Sequence, residues 1–427
     1  MDVGVVVLVG LVAANVVVWL LARPRAVSTV RYVGELCGAE AILCFSCALV
    51  LATVLGPIER AFGGLDRVAL WHRRTAVLGV LLLVPHLVLV WLAPADPDAT
   101  ALGSLFGIIA LIGIVGLALW AMAPSLVARR WPGPVRRMAS ASYEQWLSSH
   151  RLMGIFAAMA VVHAGIVDPA IRLSRVLLVA FVAIGVLGVV AYLYREFVFP
   201  RITPIHEYRV ARTTALDERT LGISLDPVGD PLAFRPGQFI FIAFSGVGAW
   251  QRHPFSVSSA PSSPTLEIAV RAAGDYTIDL GRELRVGAMA KVAGPYGGFD
   301  HVLGGHHQLW IAAGIGITPF LSWIRSLDSE FDQEVEFFYA VNDESAALFA
   351  DEIGTAATAH PSFHPRLWVA ARDGTLDPAT VLSALPPHAD PWVYMCGPPG
   401  MMRSFAKGFR AAGVPADRIR WEQFDIR

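Results

Sequence analysis

Six apolar runs fill the first 199 residues of this 427-residue chain, and each is close to the roughly 20 residues a helix needs to cross a bilayer. They run from Val3 to Ala22, Tyr32 to Leu55, His72 to Ala93, Ala101 to Ala123, Trp146 to Val167 and Arg175 to Tyr194. Such runs must satisfy their backbone amides without water, which leaves a helical bundle as the solution. Composition agrees: 55% of residues are hydrophobic and 16% charged, against about 45–50% and about 25% in soluble domains. That excludes a disordered chain. Four cysteines are too few for a disulfide scaffold, and 34 basic against 35 acidic residues leave no footprint for nucleic acid. Cys37, Cys44 and Cys47 sit in the second run, where cysteine acts as a small buried hydrophobe.

Loops rich in Lys and Arg stay in the cytoplasm. Arg60, Arg67, Arg73 and Arg74 follow the second run, and Arg129, Arg130, Arg136 and Arg137 follow the fourth. The loop from Ala93 to Thr100 has Asp96 and Asp98 and no basic residue, so it is expected outside. Both termini are then expected inside a cytoplasmic membrane. Arg23, Arg25 and Arg31, between the first two runs, stand against this assignment.

Polar residues inside membrane runs are costly and mark functional sites. His72 and His86 lie in the third run, His150 and His163 in the fifth, and these two runs point the same way. His72 and His150 then share one level and His86 and His163 a deeper one, the arrangement two stacked bis-histidine haems require. The 14-residue spacing of the first pair gives about 21 Å of rise and nearly one helix face. The 13-residue spacing of the second leaves an ideal helix about 140° out, so that run is expected to bend or to use different rotamers. Arg73, Arg74 and Arg151 stand where haem propionates would emerge, and Phe156 falls midway between the levels.

After Pro200 the texture changes to short alternating strands and Pro/Gly turns. His253-Pro254-Phe255-Ser256 offers a ring and a hydroxyl to a flavin at the end of a barrel strand. Arg271 and Gly274-Asp275-Tyr276-Thr277 supply a cation and a close glycine–hydroxyl approach for a pyrophosphate. Gly294-Pro295-Tyr296-Gly297 reads as a rigid closing turn. An apolar strand, Gln308 to Ala313, then leads into Gly314-Ile315-Gly316-Ile317-Thr318-Pro319 and a helix through Trp323. Glycines between strand and helix let backbone amides meet a dinucleotide phosphate. Strand-like Val335 to Val341 and Trp392 to Met395 follow, and the latter runs into Cys396-Gly397-Pro398-Pro399 and places a thiol where a nicotinamide lies.

Taken together these motifs resemble the ferric reductase and NADPH oxidase family across nearly the whole chain. The resemblance rests on the four spaced histidines, His253 to Ser256, Gly294 to Gly297, Gly314 to Pro319 and Cys396 to Pro399. It implies a six-span helical domain over 1–199, an antiparallel β-barrel FAD domain over 200–303 and an α/β Rossmann-like NAD(P) domain over 304–427. It implies two haems b, FAD and NAD(P)H as cofactors, and Phe424 as an aromatic stacking on the flavin. The wider superfamily commonly has arginine where this chain has His253. Many animal oxidases carry a further histidine where this chain has Val90.

A nicotinamide delivers two electrons and a haem takes one, so a flavin must stand between them. The expected path is NAD(P)H, FAD, inner haem, outer haem, then oxygen or a ferric chelate, with no obligatory protein partner. The alternative is a membrane cytochrome module serving a protein acceptor, for which the short outer loops offer little surface. After the second strand of the nucleotide domain, Asn342-Asp343-Glu344-Ser345 presents two carboxylates to the ribose 2′ position, which favours NADH at least as well as NADPH unless Arg372 swings in.

Overall fold

The computed structural model describes residues 3–94, 96–98, 100–127, 143–248, 250, 252–386 and 390–422. Phe424 and the arginines at 129, 130, 136 and 137 lie outside the described residues. The chain divides into two compact units, one over Met1–Gly63 and Arg67–Ile202, the other over Gly64–Asp66 and Thr203–Arg427.

The first unit holds α1 (Val3–Leu21), α2 (Thr29–Leu51), α3 (Leu65–Leu92), α4 (Ala101–Val127), α5 (Tyr143–His150), α6 (Met153–Val167) and α7 (Arg175–Leu193). Six stretches among the described residues are long and apolar enough to cross a membrane. The window of α2 is 67% buried, against 6–28% for the others, so α2 is the central helix. Being inside the bundle, it can carry Glu35 and Glu40, the latter accepting a hydrogen bond from Asn15 of α1 at 2.8 Å. Small residues let helices close on it: Gly188 lies against Ser46 and Gly79 against Phe45.

Three sequence expectations shift. The second run ends as a helix at Leu51 rather than Leu55, because Val54 turns left-handed (φ 57°) and Gly56-Pro57 opens a new short helix. The fifth run is two helices, α5 and α6, broken at Arg151–Leu152, and this break resolves the awkward 13-residue spacing. The sixth continues beyond Tyr194 through a π turn, Tyr194–Val198, to Ile202.

The second unit begins with six antiparallel strands: β1 (His206–Ala215), β2 (Thr220–Pro227), β3 (Phe239–Phe244), β4 (His253–Ser256), β5 (Leu266–Arg271) and β6 (Met289–Tyr296). Their order is β4-β3-β6-β1-β2-β5, and the Ser258 amide reaches Glu267 O at 2.8 Å to bring the ends into a near-closed barrel. Inward residues such as Val210, Ile223, Ile240, Ile268 and Val292 fill it. Gly294-Pro295-Tyr296 is the end of β6 rather than a turn, with Tyr296 opposite Phe239 across a bulge.

A parallel sheet follows, built from β7 (His307–Ala313), β8 (Glu334–Val341), β9 (Phe363–Val369), β10 (Trp392–Cys396) and β11 (Ile419–Glu422) in the order β11-β10-β7-β8-β9. The chain leaves β7 in one direction and returns on its other side at β10. Their carboxyl ends therefore flank the switch point at which open α/β sheets bind ligands.

Candidate functional site

Three of the four histidines are tied down the same way. Nδ1 lies 2.8 Å from Ala48 O in His72, 2.9 Å from Gly34 O in His86 and 2.8 Å from Gly103 O in His163. A carbonyl only accepts, so each Nδ1 donates and each Nε2 presents its lone pair, the tautomer of a metal-ligating imidazole. The two carbonyls on α2 are 14 residues apart, matching the histidines on α3.

Glycines supply the seats. A Cβ on Gly38 would stand 2.7 Å from the His86 ring, and one on Gly107 2.6 Å from His163. Gly34 with Gly38, and Gly103 with Gly107, thus repeat one device: the first offers a carbonyl and the second leaves room for the ring. All four glycines lie outside the motifs that stand out in the sequence. Their signal was the four-residue spacing of glycines in membrane runs that lack histidine.

His150 ends α5, stacked on Trp146 at 5.2 Å and facing His72 with ring centroids 6.1 Å apart at 74°. Two metal–imidazole bonds of about 2.0–2.1 Å plus the half-widths of two rings span that gap, so a metal fits between them. The His150 Nδ1 is buried without a hydrogen-bond partner. Among the described residues no group of three or more His, Cys, Asp or Glu could hold a metal ion; a haem iron asks the protein for two axial ligands only. Phe156 joins Phe45, Ala41 and Ile114 in one cluster, where Gly113 makes room for its ring.

Two of the three nearby arginines are engaged. Arg151 pairs with Glu196 of the π turn, and Arg74 lies over the Trp71 ring at 4.9 Å. At the opposite end, Arg23 donates to Thr29 Oγ1 and Arg31 to Pro94 O, while Arg172 holds Asp96.

On the barrel, β4 carries His253, Pro254, Phe255 and Ser256 at the sheet edge. The His253 ring stacks on Tyr276 at 3.5 Å. Ser256 Oγ and the Tyr276 hydroxyl are both buried without a hydrogen-bond partner, a state that costs about 1–3 kcal/mol each unless a ligand satisfies them. Burial pushes the Tyr276 phenol well up, so it is a donor and not a phenolate. Gly274 opens helix α8 (Asp275–Glu283). Thr277 Oγ1 accepts the Ala273 and Gly274 amides at 2.9 and 3.0 Å, so this hydroxyl shapes the turn. Arg271 Nη1 comes within 3.4 Å of the Cβ position of Gly314, which brings the barrel cation to the nucleotide turn.

At the switch point Gly314 is left-handed (φ 54°) and starts a 3-10 turn to Ile317, from which α9 (Thr318–Ile324) rises with Pro319 in its first turn. Thr318 Oγ1 donates back to Ile315 O at 3.0 Å. A Cβ on Gly316 would lie 2.3 Å from Cys396 O, and one on Gly397 2.7 Å from Ala313 Cβ. The turns after β7 and β10 are therefore in contact, with Pro398 capping α10 (Pro399–Ala411). Cys396 is fully buried, and burial followed by the Glu422 carboxylate pushes its thiol well up, so it stays neutral. Glu422, opposite Cys396 on β11, is itself buried, and its Oε1 lies 3.4 Å from the Cβ position of Gly297. Across from it, Ser322 donates to Ser259 O, and Arg325 to Ser258 O and Glu267, joining α9 to the barrel.

The 2′ loop is less acidic than its sequence. Asp343 caps its own turn through the Ala346 amide, and Arg372 donates to Glu344 at 2.9 Å. Replacing Arg372 with glutamine is expected to raise the NADH-to-NADPH ratio of kcat/KM about tenfold, about 1.4 kcal/mol. Steady-state kinetics with both nucleotides checks it.

Residues 205–298 match the model of an FAD-binding domain and residues 310–407 that of an oxidoreductase NAD-binding domain. The chain is 31% identical over 245 residues to a flavohemoprotein of Chromobacterium violaceum, covering 51% of this chain and 60% of that protein. It is 28% identical over 211 residues to the ferredoxin reductase component of a 3-ketosteroid-9-alpha-monooxygenase of Rhodococcus rhodochrous, covering 47% and 58%. The chain thus spans 58–60% of the length of these relatives. Among solved structures, the FAD/NAD-binding domain of nitric oxide dioxygenase from Vibrio cholerae aligns with a TM-score of 0.46 and 25% identity, over 51% of this chain and 97% of that one. The second unit is therefore the FAD- and NAD-binding part of an oxidoreductase.

Proposed function

We propose that this oxidoreductase sends its electrons across a membrane, from cytoplasmic NAD(P)H through FAD and two haems b to oxygen or a ferric chelate outside. The observation that carries the reading is the set of facing histidines, three with Nδ1 tied to a backbone carbonyl, inside apolar helices of a chain whose other half binds FAD and NAD(P)H. Bound there, FAD accepts a hydride and releases electrons one at a time, and haem relays them singly.

His72 and His150 would hold the inner haem, and His86 and His163 the outer one. With both histidines of a pair spent on holding a haem, the acceptor would receive its electron by outer-sphere transfer. Ser256 and Tyr276 would donate to the flavin, and Arg271 would neutralise its pyrophosphate. The turns at Gly314 and Gly316 and the α9 N-terminus would seat the nicotinamide nucleotide. In this reading both termini and the second unit face the cytoplasm, the side that the arginines at 60, 67, 73 and 74 favour. Arg23 and Arg31, which count against it, are held by Thr29, Glu35 and Pro94 and act as structural ties.

Purified protein should carry two low-spin haems and one FAD per chain. Anaerobic NADH should reduce the flavin and then both haems, and air or a ferric chelate should reoxidise them. A pyridine haemochrome assay giving fewer than two haems per chain, or haems that NADH cannot reduce, overturns the reading.

A further inference from the structure

We infer that Glu35 and Asp168 form a proton-sharing carboxyl pair that takes up one proton from the outer face when an electron reaches the outer histidine level and returns it when the electron leaves. The inference rests on the proposed bis-haem reading and adds a charge-balancing site to it.

Glu35 and Asp168 are only 5% and 6% exposed, and their carboxyls face each other. Asp168 Oδ1 is occupied by the amides of Ala170 and Ile171 at 2.8 and 3.2 Å, as the cap of the short helix Pro169–Leu173. Glu35 Oε2 is buried and receives no hydrogen bond from a described donor. The Ala170 amide serves both carboxyls, but no donor among the described residues reaches Glu35 Oε2, and a shared proton is the group that fills that place.

The surrounding charges leave room for it. Arg31, on the same helix, lies 3.7 Å from Glu35 but also binds Pro94 O. Arg172, facing Asp168, is committed to Asp96 at 2.6 Å. Arg23 lies over Tyr32, whose hydroxyl donates to Trp19 O. Arg31 and Arg172, the cations facing the two buried carboxyls, thus each have another partner. Burial holds the Asp168 carboxyl above the usual carboxylate range.

The pair sits at the outer histidines. Glu35 follows Gly34, whose carbonyl holds His86. Asp168 stands five residues beyond His163, about 7.5 Å along the helix axis. A unit charge at about 10 Å in an effective dielectric of about 20 changes a proton affinity by about tenfold. The stoichiometry closes: one electron arrives from the flavin side and one proton enters from outer water, then one electron leaves to the acceptor and one proton is released.

The test is a spectroelectrochemical titration of the full-length haem-loaded protein in detergent at several pH values, with a His86→Ala variant identifying the outer haem by its loss. The outer midpoint potential should fall as pH rises, by about 59 mV in all for a tenfold change in proton affinity, while the inner one changes less. Glu35→Gln should flatten that slope. So should Asp168→Asn, which keeps the helix cap because asparagine caps as well as aspartate. A wild-type outer potential independent of pH, or a slope surviving in both variants, overturns the inference. A protein without two haems would instead overturn the reading beneath it.

Discussion

Replacing His86 or His163 with alanine should leave one haem per chain and abolish reduction of oxygen or ferric chelate, while NADH still reduces the flavin at the wild-type rate. The expected loss in acceptor turnover is at least about 100-fold, about 2.7 kcal/mol in barrier. Each imidazole is oriented before any metal arrives, through its Nδ1 and a fixed backbone carbonyl. Alanine removes both the ligand and the orienting contact, and nothing else among the described residues at that level can take its place. The seats provide an independent check. Gly38→Ala keeps both outer histidines yet puts a methyl 2.7 Å from the His86 Nδ1, so it should also lower outer-haem content. Haem counting by pyridine haemochrome, with stopped-flow flavin reduction on the same samples, separates the two steps. A His86→Ala protein that still holds two haems would remove this histidine from the ligand set.

Why the histidines were legible and their partners were not follows from what each signal is made of. An ionisable ring in an apolar run is rare and costly, so its position alone points to a site. A backbone carbonyl belongs to every residue, and nothing in Gly34, Ala48 or Gly103 says that a histidine will find it. The turns at Gly314 and Gly397 were legible because glycine between strand and helix has few other uses. The contact between them depends on a parallel register, Cys396 beside Ala312, that no local pattern encodes. Gly294-Pro295-Tyr296 misled for the converse reason: Gly-Pro reads as a turn, yet here the same pair closes an inner strand of the barrel. Arg372 illustrates the limits of counting charge along a loop, since the cation that offsets Glu344 comes from 28 residues away.

Gly316→Ala should lower kcat/KM for NAD(P)H by about 100-fold while leaving FAD bound. The added methyl would meet Cys396 O at 2.3 Å, Cys396 C at 2.6 Å and the Gly397 amide nitrogen at 2.9 Å. All three are backbone, so no side chain can swing aside, and either the turn after β7 or the one after β10 must move. Overpacking of this kind costs about 1–3 kcal/mol, and here the displacement falls on the two loops at the switch point. The barrel has its own core, separate from that around Trp310 and Tyr394, so flavin content should hold. Gly314→Ala is the informative contrast. It asks alanine to adopt φ 54°, a penalty of about 1–2 kcal/mol, but its methyl meets only the flexible end of Arg271 at 3.4 Å. Its catalytic loss should stay below about tenfold, about 1.4 kcal/mol. Dithionite should reduce the flavin of both variants normally, whereas NADH should fail with Gly316→Ala alone. Equal losses in the two would mean that backbone strain, not the close approach of the two turns, governs nucleotide binding.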